Sequence, residues 1–345
     1  MDLNQIQAEK QLDFIGYIQR LLIEGDFTAT YKYALLHALA DVCVELPLAN
    51  ESDELSIPLE LLAEKLLVLY WHHAVPFTSE AVGQDALLKQ NSGGQSTIIS
   101  LLYKCQKNNI HTFRALKASS NWNAVLKVAL KALKDGPLWR LQIIARQPEC
   151  FLYPHTKSSK YIILNHGVAA SFRRFYDLVV HLAKTAWIEK VQSFPYNQTL
   201  IGPQSNLNEF LFGSDRKALI KAKPLLEDIQ SGLCFYCQKP LNRTAEVDHF
   251  IPFARYSNDL GHNFVAAHRA CNNNKRDFLA AHHHRERWEN QNLVQNKTLI
   301  DSELSAYFQC DSDKSLAVSN WAYQVASTNG AKLWLAINIF ELAKN

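Results

Sequence analysis

No stretch of this sequence is both apolar and uncharged for long enough to cross a membrane. The most apolar one, Ile57 to Val75, carries Glu60, Glu64 and Lys65, which are costly at bilayer depth and read instead as one solvated face of a helix. The start, Met1-Asp2-Leu3-Asn4, has no basic segment or apolar core of a secretory signal, and a cytoplasmic location is expected. Strong net charge is missing too. With 36 Lys+Arg against 33 Asp+Glu, the net charge alone does not point to a polyanion binder, and any electrostatic case rests on local distribution. Residues 141 to 204 carry seven Lys/Arg against three Asp/Glu, so positive charge gathers in the middle. Gly93-Gly94-Gln95-Ser96 is not followed by Lys-Ser/Thr, which excludes a phosphate-cradling loop and leaves a turn into a helix. Internal repeats are absent. The seven cysteines are an odd number, and three sit at metal-ligand spacing, a pattern that suits a reducing compartment rather than a disulfide framework. Cys43, Cys105, Cys150 and Cys310 are expected to be buried thiols.

What is present points to an α+β protein, mainly α. Residues 1–205 read as a helical module of undetermined role. Tyr31, Ala34, Leu35, Ala38 and Val42 recur at helical spacing, as do Leu59, Leu62, Leu66 and Leu69. Ser56 and Pro58 mark a helix start and Pro76 a stop. His72-His73 faces two sides of its helix and is given no role. A short β-hairpin is expected near 150–165, from Phe151-Leu152-Tyr153 and Tyr161-Ile162-Ile163-Leu164 about a turn at Lys157-Ser158-Ser159. Then Phe172, Phe175, Tyr176, Val179, Leu182 and Ala186 form an apolar helical stripe, with Arg173, Arg174, Lys184 and Lys190 facing out. Arg173 and Arg174 are candidate phosphate contacts. The Asn/Gln/Gly/Pro-rich stretch 198–214 is the candidate boundary. Residues 206–290 form a second domain. A polar segment from His282 to Asn296 follows, its triple histidine read as a solvated helix end, and residues 291–345 are expected as helices through Tyr307, Trp321 to Val325 and Trp334 to Leu342, packing on the rest.

The residues that carry chemistry come in order. Cys234-Phe235-Tyr236-Cys237 is followed by Glu246-Val247-Asp248-His249-Phe250-Ile251-Pro252, by Asn263-Phe264-Val265, and by His268-Arg269-Ala270-Cys271-Asn272-Asn273-Asn274-Lys275. Cys-x-x-Cys and His-x-x-Cys are separated by thirty residues, and each two-residue gap lets a tight turn aim both side chains at one ion. Tetrahedral Zn²⁺ fits that spacing, with Cys234, Cys237, His268 and Cys271 as ligands. Four protein ligands leave no open position, so this zinc is expected to be structural. Between the pairs, Val247, Phe250, Ile251 and Phe253 suggest a strand turning at Pro252. Phe264-Val265-Ala266 is the return strand, and Cys271 to Leu279 a helix.

This strand, strand, helix order with Asp-His at the end of the first strand resembles the HNH family of ββα-metal nucleases, over roughly fifty residues. The three letters match as His249, Asn263 and Asn272. One departure is that His268 stands where the second pair usually begins with Cys; zinc accepts imidazole as readily. The resemblance, with the chemistry of the side chains, implies a metal-dependent endonuclease. His249 takes a proton from the attacking water, Asp248 and the Asn272 amide hold Mg²⁺ or Mn²⁺, and Asn263 orients the backbone of His249. Lys275 and Arg276 reach phosphates. It also implies double-stranded DNA as substrate and a restriction or phage-defence setting, with a protein partner or homodimer left open. Adjacent residues on a regular strand point to opposite faces, so Asp248 and His249 need a local twist to meet one phosphate. The alternative is a catalytically inactive, zinc-dependent nucleic-acid-binding module. A finger that only binds needs none of Asp248, His249, Asn263 and Asn272.

Overall fold

The computed structural model describes residues 3–78, 85–155, 160–202, 205–213 and 216–343. The expected turn at Lys157-Ser158-Ser159 lies outside the described residues. The chain divides into two compact units, Met1–Leu211 and Phe212–Asn345. It is mainly helical with small two-stranded sheets. No described helix is long and apolar enough to cross a membrane.

In the first unit the main helices are α1 (Leu3–Glu24), α2 (Tyr31–Glu45), α3 (Leu59–Trp71), α4 (Thr97–Lys107), α5 (Trp122–Asp135), α6 (Val168–Arg174) and α7 (Tyr176–Ser193), and its longest strands are β1 (Leu55–Pro58) and β2 (Tyr161–Leu164). Helix α2 is apolar on nearly every side and buried from Lys32 to Glu45, as a central helix must be. It packs on α3, α6 and α7. The two carboxylates it buries, Asp41 and Glu45, are satisfied by groups from neighbouring helices. Tyr176 donates to Asp41 Oδ1 at 2.7 Å, and Lys65 bonds Glu45 and lies 3.7 Å from Asp41 Oδ2. Lys65, expected on a solvated face, is therefore buried in an ion network that compensates its desolvation. Ser96 caps α4, its hydroxyl accepting from the Ile99 amide. His73 is a core residue whose Nε2 meets the Leu211 carbonyl at 2.9 Å.

Among the described residues Phe151-Leu152-Tyr153 forms no strand of the hairpin expected near 150–165. Tyr161–Leu164 instead pairs antiparallel with Leu55–Pro58, Ile162 opposite Ile57 and Leu164 opposite Leu55. The alternation that suggested a strand is real, since Ile162 and Leu164 point inward, but the partner is a hundred residues away and invisible to local turn rules. The basic helix face also differs from expectation. Arg173 is half-buried and Nη1 donates to the carbonyls of Cys43 and Leu46 at 3.2 and 3.3 Å, satisfying the C-terminus of α2. Burial holds Lys184 down at about 8, while Arg174 is exposed. Of the four cysteines expected to be buried, Cys43 and Cys105 are; Cys150 is exposed and Cys310 half-buried.

The second unit begins with α8 (Arg216–Ile229) and continues through β3 (Glu246–His249), β4 (Phe264–Ala267), α9 (Arg269–Lys275), α10 (His282–Trp288), α11 (Lys297–Leu304), α12 (Ser312–Thr328), β5 (Lys332–Ala336) and β6 (Ile339–Leu342). Ala222 and Leu226 of α8, Phe264 and Ala266 of β4, and Ile300, Leu304 and Phe308 form one apolar core. A second forms where Phe250 stacks on Trp288 at 4.8 Å. The stretch His282–Asn296, expected to be polar and solvated, is helical to Gln295 and buries His284, Trp288 and Asn292. Trp334–Leu342, expected as helix, is a hairpin. Asn338 adopts a left-handed φ of 61° at its tip, which ends any helix there.

Candidate active site

The zinc ligands come together as their spacing requires. Cys234 and Cys237 lie in a turn closed by the Gln238 amide on the Cys234 carbonyl at 2.9 Å. His268 immediately precedes α9 and Cys271 lies in its first turn, so one helix start presents both remaining ligands. Their four donor atoms lie within 4.8 Å of one another, with Cys237 Sγ 3.3 Å from His268 Nδ1. His268 Nε2 lies 2.8 Å from the Pro240 carbonyl. A carbonyl only accepts, so Nε2 carries the hydrogen and Nδ1 presents its lone pair to the centre, the arrangement that orients a metal-binding imidazole. The His268 amide points at Cys234 Sγ, 3.4 Å away. Left to themselves the thiols oppose one another: burial, then Cys234 and Cys237, push the Cys271 thiol up to about 12. A divalent cation lets all three bind as thiolates. The donor set of three sulfurs and one nitrogen fits structural zinc.

The strand pair inside this staple is in register from Glu246 opposite Ala267 to His249 opposite Phe264. Gln230 extends it, its side-chain amide accepting from and donating to the backbone of Ala266, both at 2.8 Å. Val247 and His249 share one face: Val247 packs on the core, and the His249 ring meets Phe264 edge-on at 5.1 Å. Asp248 takes the other face. Its Oδ2 accepts from the Tyr236 hydroxyl at 2.5 Å and from Lys275 Nζ at 3.0 Å. Burial, then Asp248, hold the Tyr236 phenol well above its ordinary range, so it stays a donor.

After His249 the chain bends. Asn263 fixes the bend, accepting from the Ile251 amide at 2.8 Å and donating to the Ile251 carbonyl at 2.9 Å, while its own carbonyl accepts from Phe250 at 2.7 Å. Because the strand ends at the Asp-His pair, both side chains border one cleft although the pleat sends them to opposite faces. The cleft, about 640 Å³, is lined by Asp248, His249, Phe253, Asn272, Asn273 and Arg276.

Asn272 donates Nδ2 to Glu246 Oε2 at 3.0 Å, which fixes its amide and leaves Oδ1 as the acceptor. Neither the Asn272 amide oxygen nor Asp248 Oδ1 takes a hydrogen bond among the described residues, and both are hard oxygen donors on one cleft. This fits Mg²⁺ or Mn²⁺. Sequence reasoning missed Tyr236, and it missed Asp259. Its Oδ1 lies 2.7 Å from His249 Nε2, and it sits in a segment, Asn258 to Gly261, whose composition says only turn. Asp259 as a carboxylate only accepts, so Nε2 carries the hydrogen and Nδ1 is the basic nitrogen.

One expected phosphate contact is placed otherwise. Lys275 is fully buried, its Nζ shared between Asp248 and the His249 carbonyl at 3.0 Å, and so cannot reach a phosphate. The finger helix ends at Lys275 rather than Leu279, because Arg276 adopts a left-handed φ of 49°. That turn sends Lys275 inward and leaves Arg276 exposed at the cleft. Arg173 and Arg174 belong to the first unit.

Residues 234–278 match the HNH endonuclease family. This interval contains the zinc ligands, Asp248, His249, Asp259, Asn263 and Asn272. Residues 10–210 match the family described as a domain of unknown function (DUF8808). No curated protein and no solved structure matches the chain. Since residues 10–210 make up more than half of it, the protein belongs to the DUF8808 family, and it carries an HNH endonuclease domain at its C-terminal side.

Proposed function

We propose that the protein is a metal-dependent endonuclease that hydrolyses phosphodiester bonds in double-stranded DNA at the cleft of Asp248, His249 and Asn272. One observation carries this reading. An imidazole bordering an open cleft is tied through Nε2 to a carboxylate 2.7 Å away, and the same cleft is lined by two oxygen donors that take no hydrogen bond among the described residues. A finger that only bound nucleic acid would gain nothing from that arrangement.

His249 Nδ1 takes a proton from water as the water oxygen attacks phosphorus, and Asp259 stabilises the imidazolium that results. The bond from phosphorus to the 3′ oxygen breaks, leaving a 5′-phosphate and, once protonated, a 3′-hydroxyl. Asp248 Oδ1 and the Asn272 amide would hold the divalent cation, which when bound supplies charge neutralisation at the phosphate and the departing oxygen. Asn263 and Lys275 act on the backbone: the first holds the bend after His249, the second its carbonyl. Arg276 at the rim, and Arg269 exposed at the start of α9, support contact with a duplex backbone. A restriction or phage-defence setting is the one we favour.

Plasmid incubated with the zinc-loaded protein and Mg²⁺ should be nicked or linearised, and His249→Ala should abolish this while keeping its zinc. Equal cleavage by both proteins removes His249 from the chemistry; no cleavage by the unaltered protein with any divalent cation leaves a binding module.

A further inference from the structure

Beside the nuclease motif lies a second group of metal-ligand side chains that the cleavage chemistry does not use. His262 belongs to the single helical turn Gly261–Asn263 that leads into β4. Its backbone is fixed, the Trp288 indole and the Asn292 amide both donating to its carbonyl at 2.8 and 2.9 Å. Its side chain is fully buried and, among the described residues, Nδ1 has no hydrogen-bond partner. Nε2 faces Asp301 Oδ1 of α11 at 3.6 Å and the Lys297 carbonyl at 3.4 Å. Cys310 Sγ completes the set, and the three side-chain donor atoms lie within 4.8 Å of one another.

These separations decide between two readings. A direct imidazole hydrogen bond to oxygen runs at about 2.7–3.2 Å, shorter than either contact of Nε2. Ligand atoms around a tetrahedral zinc with bonds of about 2.0–2.3 Å stand roughly 3.3–3.8 Å apart. The zinc knuckle supplies the internal standard, with Cys237 Sγ and His268 Nδ1 at 3.3 Å. Nε2 thus stands at ligand spacing from Asp301 Oδ1 and the Lys297 carbonyl, and Cys310 Sγ, which also points at the Ile300 carbonyl 3.7 Å away, lies within 4.8 Å of the imidazole and carboxylate donors.

The backbone is also built to admit the thiol. The Gly261 amide donates to the Gln309 carbonyl at 2.9 Å, drawing Cys310 alongside, and a Cβ at Gly261 would lie 2.6 Å from Cys310 Sγ. Only glycine leaves that approach open.

We propose that His262, Asp301 and Cys310 form a second zinc site, with the Lys297 carbonyl at the fourth position. Its mixture of imidazole, carboxylate and thiolate suits Zn²⁺ over Mg²⁺ or Ca²⁺. The thiol binds as thiolate, its proton passing to water, so Asp301 and Cys310 balance the ion's charge. Bound there, the ion clamps α11 and the Gln309–Cys310 segment to the turn that carries Asn263, and through Asn263 to the bend after His249.

The full-length protein, equilibrated with excess Zn²⁺ and freed of unbound metal by gel filtration, should contain two zinc ions per chain by elemental analysis. Cys310→Ser and Asp301→Asn should each contain one. Asp301 is half exposed, so its Asn variant keeps the fold and the test stands even if Cys310→Ser misfolds. One zinc per chain in the unaltered protein overturns the proposal, and so do two in the Asp301→Asn variant. Because the readout is metal content, it is independent of whether the chain cuts DNA.

Discussion

Replacing Lys275 by Met separates two roles that its place on the finger helix leaves indistinguishable in sequence. A phosphate contact is exposed, contributes little to folding, and its loss lowers the slope of log affinity against log salt by about one. The observed Lys275 has no exposed side-chain surface and donates at 3.0 Å both to Asp248 and to the His249 carbonyl. Methionine fills similar volume, so the cavity penalty is small, but Asp248 is left as a nearly buried carboxylate with only the Tyr236 hydroxyl. Removing one partner of a buried pair costs about 3–5 kcal/mol, a sizeable part of the stability of a domain of this size. Urea unfolding of the zinc-loaded protein, followed by the protease resistance of residues 234–278, should show a loss in this range. In the double variant with Asp248→Asn, part of the loss should be recovered, giving a coupling of roughly 1–3 kcal/mol. Stability within 0.5 kcal/mol of the unaltered protein, about the scatter of neutral surface changes, together with a shallower salt slope, would refute the keystone role.

Asp259→Asn should lower the cleavage rate about 100-fold with DNA affinity unchanged, because an amide can donate as well as accept and no longer holds Nε2–H on His249; partial recovery in Asp259→Glu separates this from a folding defect. Stripping zinc with a chelator should unfold the finger, seen as loss of protease resistance in residues 234–278 and restored by Zn²⁺ but not by Mg²⁺. Arg173→Ala should destabilise the first unit by about 1–3 kcal/mol through two unsatisfied carbonyls at the end of α2, leaving DNA affinity unaltered in a gel-shift titration. Acid should weaken the first unit below pH 6.5. Burial holds His37 at about 4 and His73 at about 3, so the unfolded chain takes up protons the folded one refuses, at roughly 2 kcal/mol per histidine by pH 5; an unchanged melting temperature between pH 7.5 and 5 would contradict this.

The helical periodicities of α2 and α3 were legible because spacing along one helix reports its own buried face. What spacing does not report is the partner. Tyr161–Leu164 reads as a strand at either address, and only tertiary packing selects Leu55–Pro58 over the nearer Phe151–Tyr153. Lys65 and Arg173 failed for a related reason. Charge implies solvent only where no buried acceptor waits, and Glu45 with Asp41, or the last carbonyls of α2, are acceptors contributed by other segments. The C-terminal hairpin was misread because Trp334 to Leu342 is apolar without clear period, and the left-handed Asn338 that breaks it is a single residue.

In the nuclease motif the ligands were legible from identity and spacing alone, since a tetrahedral ion restricts which pairs of residues can serve it. The supporting groups were not. Tyr236 is hidden between two zinc ligands, Asp259 in a turn, and Lys275 on a helix whose pattern suggests an exposed cation. Each acts across the motif: Tyr236 and Lys275 on Asp248, Asp259 on His249. Their arrangement resolves the difficulty posed by the pleat. Asp248 and His249 need not share a face if each is held by its own partner at the point where the strand ends. Tyr236 and Lys275 secure Asp248 from one side, and Asp259 with Phe264 secures the His249 ring from the other. Asn263, by fixing the bend, ends the strand where both side chains border the same cleft. The twist the sequence seemed to demand is thus replaced by a strand terminus with a separate anchor on each face.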